Sequence, residues 1–185
     1  GVDFPEVWHN KCRMCFTEED LLCTLGQLVT VLEYRKGRLS ETGCKDLDTY
    51  NEITGESLPR IVFACDEVAE MLDKTGRSKE SKEVLAQIEN KLATLSRLGR
   101  AFGIHLILAT QRPDANILPG QIKTNLDFRV CGRADNVLSQ IILDNTNAAD
   151  QIPKDARGRF ITGDGTVFQA YVLNEKQLRG DFHGA

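Results

Sequence analysis

The stretch LPRIVFACDEVAEM, residues 58–71, decides how this chain reads. The apolar run Ile61 to Cys65 predicts a short strand, and it stops abruptly at two adjacent carboxylates, Asp66 and Glu67. A strand that is apolar throughout belongs inside a parallel sheet, and the carboxyl end of such a strand is where open α/β sheets bind ligands. Two acids at that rim suit a magnesium nucleotide. The first holds the metal, usually through water, and the second orients or deprotonates an attacking water. A plainer reading competes, in which the acids serve only a helix whose first turn favours negative charge.

A second apolar run, Ile104 to Ala109, leads into Thr110, Gln111, Arg112 and Pro113. Here polar donors replace acids at a strand end, as suits a neighbouring strand that senses a terminal phosphate and helps to place the water. Pro113 stops the strand and turns the chain out of the sheet. The alternative is a polar turn closed by proline.

Several ordered pieces now add to these two: RLGRAFGIHLILATQRP (97–113), GQIKTNLDFRV (120–130), IILDNTNAADQI (141–152) and RGRFI (157–161). With residues 58–72 they resemble the FtsK/SpoIIIE-type DNA-pumping ATPases, over roughly residues 45 to 172. The resemblance implies an α/β, RecA-like P-loop NTPase core, mostly parallel sheet with helices on both faces, incomplete at the N-terminus. No G-x-x-x-x-G-K-[ST] occurs in the 185 residues. A phosphate cradle needs successive backbone N–H groups, a helix N-terminus and a lysine together. The expectation is therefore the C-terminal portion of one motor domain, residues 1–173, followed by a polar tail at 174–185. Without its central phosphate-loop strand, such a sheet is expected to rearrange or to self-associate through exposed edges.

The resemblance also distributes roles. Asp66 stands as the magnesium-side acid, acting through water, and Glu67 as the catalytic base for ATP hydrolysis. Gln111 with Thr110 stands as the phosphate sensor, and Arg100 as the arginine finger supplied to a neighbouring subunit. A helix-terminal cation serving the helix dipole is the simpler account of Arg100. Arg112 and the basic residues Lys74, Arg77 and Lys79 fall where the family has its two DNA-facing loops. A second basic trans contact falls ambiguously at Asn136, with Arg133 nearby. The intact protein implied is a homo-hexamer that moves double-stranded DNA through its pore with ATP and Mg²⁺. It would be cytoplasmic, tethered to a membrane through a region outside this sequence. Relatives with the same core suggest two other jobs, conjugation coupling and type VII secretion. A non-catalytic assembly domain is a third possibility.

Composition sets bounds on these readings. A net charge of −4 argues against a generally basic nucleic-acid coat, although a pore can concentrate its cations locally. The apolar fraction of 41% is ordinary for a chain that buries a core. Six cysteines include Cys12 and Cys15 near His9, which hints at zinc, but in a strand their spacing puts them on opposite faces. Free thiols in a reducing compartment fit better than a disulfide framework.

The periodicities predict alternating elements. A strand is expected at 11–16, then a helix capped by Thr17 with Leu21, Leu25, Leu28 and Leu32 on one face, ending near Gly37. Residues 38–57 read as a loop with a short helix, and 73–81 as a charged loop. A long helix with Val84, Leu85, Ile88, Leu92, Leu95 and Leu98 at helical spacing follows. Later strands are expected at 128–132, 159–162 and 167–172, the last two joined through Gly163-Asp164-Gly165 as a hairpin.

Overall fold

The computed structural model describes residues 11–111 and 119–172, and these fall into two compact units. Residues 15–127 form the larger; residues 128–172 with 11–14 form the smaller.

The larger unit opens with helix α1, Glu18–Thr42. Thr17 caps it by accepting from the Asp20 N–H at 3.1 Å, and Glu18, Glu19 and Asp20 fill its positive first turn. The predicted stripe Leu21, Leu25, Leu28 and Leu32 is buried, and each such leucine contributes about 1.5–3 kcal/mol. The helix passes Gly37, where a stop was expected, because Leu39 extends the buried stripe and Gly43 supplies the left-handed cap at φ 68°. Helix α2, Leu47–Thr54, starts at Asp46 and buries Tyr50 completely, so the expected loop is largely ordered. Residues 11–16 make no strand; they are irregular, and the Cys15 thiol lies 3.1 Å from the Thr24 hydroxyl on α1. Among the described residues nothing pairs with this segment in a ladder, which removes the basis for the strand.

Strand β1, Ile61–Cys65, and helix α3, Val68–Leu72, stand where the sequence places them. Helix α4, Lys79–Leu98, is capped by Ser78 and buries Leu85, Ile88, Leu92 and Leu95. A 3-10 turn, Gly99–Phe102, then feeds strand β2, Ile104–Leu108. The two strands pair in parallel, Ile61 with Ile104 through Cys65 with Leu108. Ile61, Phe63, Cys65, Ile104, Leu106 and Leu108 point into the core built by α1 and α4. The opposite face carries Val62 and Ile107, which are 60% and 57% exposed. Among the described residues no further strand joins this sheet. Helix α5, Gly120–Asn125, closes the unit with Ile122 buried.

One polar group ties these elements together. Arg35 of α1 is 4% exposed, and its guanidinium donates to the Phe102 carbonyl at 2.6 Å and the Pro59 carbonyl at 2.7 Å. Those carbonyls lie just ahead of β2 and β1. Gly103, at φ 69°, passes between them; a Cβ there would meet Leu47 Cδ2 at 2.3 Å and Arg35 Nη1 at 3.2 Å.

The smaller unit is an antiparallel sheet of β3, Val130–Cys131, β4, Arg159–Thr162, and β5, Val167–Gln169. The hairpin at Gly163–Gly165 is as expected, while the outer strands are shorter than the sequence suggested. Helices α6, Asn136–Leu143, and α7, Asn147–Gln151, cover it with Leu143, Ala148 and Ile152 against Ile161 and Cys131. Arg129 braces α6 through the Ile142 carbonyl at 3.0 Å and Asp144 at 2.6 Å.

Removing the Arg35 guanidinium leaves two inward-facing carbonyls without donors. Arg35→Met should lower unfolding stability by about 2–4 kcal/mol. Arg60→Met, which breaks an exposed pair with Asp48, should stay within about 0.5 kcal/mol. Urea unfolding of both variants compares them directly; equal effects would mean that Arg35 carries no special role.

Candidate active site at the carboxyl rim of the parallel pair

The parallel register brings the ends of β1 and β2 level, so Asp66 and Glu67 lie beside residues 109–111. The ladder continues past the strands. Ala109 N–H donates to the Cys65 carbonyl at 2.8 Å, and Val68 N–H to the Ala109 carbonyl at 2.9 Å.

The two acids are treated differently. Asp66 is exposed and has no hydrogen bond or ion pair among the described residues. Glu67 is half-buried, and it occupies the N-cap position of α3 without making a capping hydrogen bond. Its carboxylate turns instead to the neighbouring strand end: the Thr110 hydroxyl donates to Oε1, and the Gln111 N–H to Oε2 at 2.7 Å. Glu67 still places negative charge at the start of α3, as the helix-dipole reading expects, but its hydrogen bonds go to residues 110 and 111. The bond between Glu67 and Thr110 joins residues 43 apart and has no local sequence signal.

Magnesium commonly takes one or two carboxylates and fills its remaining positions with water and substrate phosphate. The open Asp66 carboxylate fits that limited role. Among the described residues no cluster of His, Cys, Asp or Glu would hold a metal by itself. Cys12 and Cys15 form no disulfide among the described residues, and His9 lies outside them.

Arg100 sits on the 3-10 turn before β2 and is open to solvent. Its contact with Asp127 is 3.9 Å long with side chains 88% and 83% exposed, and such pairs contribute little. In the smaller unit, Arg133 donates to the Lys154 carbonyl, and Asn136 is the first residue of α6.

The basic loop residues have partners within the chain. Lys74 pairs with Glu89, and Arg77 pairs with Glu18, which also accepts from the Ser81 hydroxyl at 3.0 Å. Lys79 begins α4 and lies 4.0 Å from Glu83, one turn on. Arg112 lies outside the described residues.

No family model matches the chain. It is similar to the DNA translocase FtsK of Treponema pallidum (strain Nichols), at 34% identity over 152 residues. That alignment covers 78% of this chain and 18% of the translocase, so the chain spans under a fifth of that relative's length. The pCW3 conjugation coupling protein TcpA, solved in a monomer form with ATPγS, superposes with a TM-score of 0.81 at 38% identity. The match covers 87% of this chain and 46% of TcpA. The cytoplasmic domain of the type VII secretion ATPase EccC of Thermomonospora curvata has a TM-score of 0.58 at 23% identity, over 85% of this chain and 19% of EccC. That last likeness bears on fold alone. With the parallel pair described above, these matches establish the α/β, RecA-like ATPase core.

Cys65 lies one residue before the acid pair, on the core side of β1, and burial pushes its thiol up to about 11. Its thiolate is then scarce at pH 8, so alkylation of the folded chain by iodoacetamide should run roughly 100-fold slower than at exposed Cys23. Peptide mass spectrometry after timed labelling checks this, and equal rates would mean that β1 is not packed as described.

Proposed function

Since the chain belongs to the FtsK/SpoIIIE-type translocase ATPases, we propose that it carries the water-activating part of an ATP-driven DNA motor. The observation that carries this reading is the Glu67 carboxylate turned away from its own helix and fixed beside Asp66 at the rim of the sheet.

In this reading Glu67 takes a proton from the attacking water. Asp66 holds Mg²⁺ through water, and Gln111 faces the terminal phosphate. Arg100, exposed and loosely paired, reaches the site of a neighbouring subunit in a ring of six and neutralises charge that develops on the transferred group. A bound magnesium nucleotide supplies the electrophilic phosphorus and the leaving group. The cradle for its phosphates comes from outside these 185 residues, and this segment alone does not turn over ATP. The ring works in the cytoplasm, with its membrane tether elsewhere in the protein.

Duplex DNA is the proposed cargo, contacted through its phosphates by Arg112 and by the loop holding Lys74, Arg77 and Lys79. Lys74 and Arg77 then exchange Glu89 and Glu18 for phosphate oxygens when DNA enters. A role in conjugative coupling is the second reading, favoured by the 38% identity and close superposition with TcpA.

ATP turnover of the full-length protein, measured with and without DNA, tests the proposal. Duplex DNA should stimulate turnover several-fold, and Glu67→Ala should reduce it by about 10²-fold or more. Stimulation by single strands in preference to duplex would favour coupling. Turnover indifferent to any DNA would refute the DNA motor and point to protein export, and wild-type turnover in Glu67→Ala would remove Glu67 from the chemistry.

A further inference from the structure

Glu67 stands at the N-cap position of α3. The short side chains of Ser, Thr, Asp and Asn cap a helix from there by accepting from its second or third N–H, and glutamate is not among them. Here the backbone sits at φ −133°, ψ 81°, and no side-chain cap forms. Both carboxylate oxygens are taken up by the chain just past β2, Oε1 by the Thr110 hydroxyl and Oε2 by the Gln111 N–H. The backbone bonds from Ala109 to Cys65 and from Val68 to Ala109 hold the two segments together on either side of this contact.

These contacts fix different things. The Gln111 N–H is a backbone donor two residues past the last inter-strand bond at Ala109, and it defines where one oxygen lies. A single donor leaves the carboxylate free to swing about that point. The Thr110 hydroxyl adds a second donor on the other oxygen, and two donors define the plane of the carboxylate and the direction of its remaining lone pairs. Those lone pairs must meet the proton of the attacking water.

We propose that Thr110 is a positioning residue whose hydroxyl sets the plane of the Glu67 carboxylate, and not a group that touches the phosphate. The assignment rests on the reading of Glu67 as the general base, and it separates Thr110 from the sensor role that Gln111 keeps. The side chain that orients the base therefore comes from the chain just past the neighbouring strand and not from its own helix.

Two measurements test it. In the full-length protein, Thr110→Val keeps the branched shape and removes the donor. It should lower kcat for ATP about 10- to 100-fold while KM for ATP stays within about twofold, and Thr110→Ser should restore most of the rate. A phosphate-touching threonine would instead raise KM and weaken binding of ATPγS, and that result, or unchanged kcat in Thr110→Val, overturns the assignment. The second measurement needs no nucleotide. In the 185-residue chain the Gln111 amide should exchange with solvent at least about tenfold faster in Glu67→Ala, and Thr110→Val should shift its proton resonance. An unaffected Gln111 amide in both variants overturns the contact itself. Wild-type turnover in Glu67→Ala, with the exchange result as expected, would instead show that the contact exists and that the reading of Glu67 as base is what fails.

Discussion

A buried cation with no carboxylate partner among the described residues ties together the elements of the larger unit. The Arg35 guanidinium is spent on two carbonyls, those of Pro59 and Phe102, each standing just before a strand of the parallel pair. Its bonds compensate for the loss of water because both acceptors are pinned, and they pin the strands in turn. The start of β1 and the start of β2 are thereby held at one level, and the Ile61 N–H bond to the Gly103 carbonyl at 2.8 Å begins the ladder there. Because the register is set at this end, the far ends also come out level.

Packing around that point leaves little latitude. Gly103 has no room for a side chain on its Leu47 side, and a Cβ on Gly99 would meet the Ile104 carbonyl at 2.7 Å. Both glycines belong to the short connection that returns the chain from α4 to β2. The turn that carries exposed Arg100 is thus fixed at each end by backbone that accepts only glycine without adjustment.

Much of the larger unit was legible in the sequence because its signals are local. Thr17 and Ser78 as caps, the leucine spacing of α1 and α4, and the apolar runs of β1 and β2 each state their element within a few residues. The strand assigned to residues 11–16 failed because a strand is defined by a ladder, and none among the described residues includes that segment. The end of α1 was misplaced because a glycine inside a helix is tolerated where the buried stripe continues, as Leu39 shows. Helices α6 and α7 were overlooked, although Asp135 accepts from the Leu138 N–H at 2.8 Å and is a plain N-cap in the sequence. At the site, the acids and the polar strand end could be read individually. Their connection could not, since it depends on the register of two strands that lie far apart in the sequence. The cations of the 73–81 loop looked free in the sequence, and only the fold shows Glu18 and Glu89 beside Arg77 and Lys74.

The distance along the chain between Glu67 and Thr110 bears on the order of events during folding. The bond spans 43 residues, and α4 lies between its ends. Closing so long a segment costs chain entropy before any contact across it compensates, so pairings of this kind form late. The leucine stripes of α1 and α4 lie further apart still, so the helical core and this bond are both long-range closures. A chain in which the crossover from β1 to β2 is incomplete has an unrestrained carboxylate, however well α4 itself is formed.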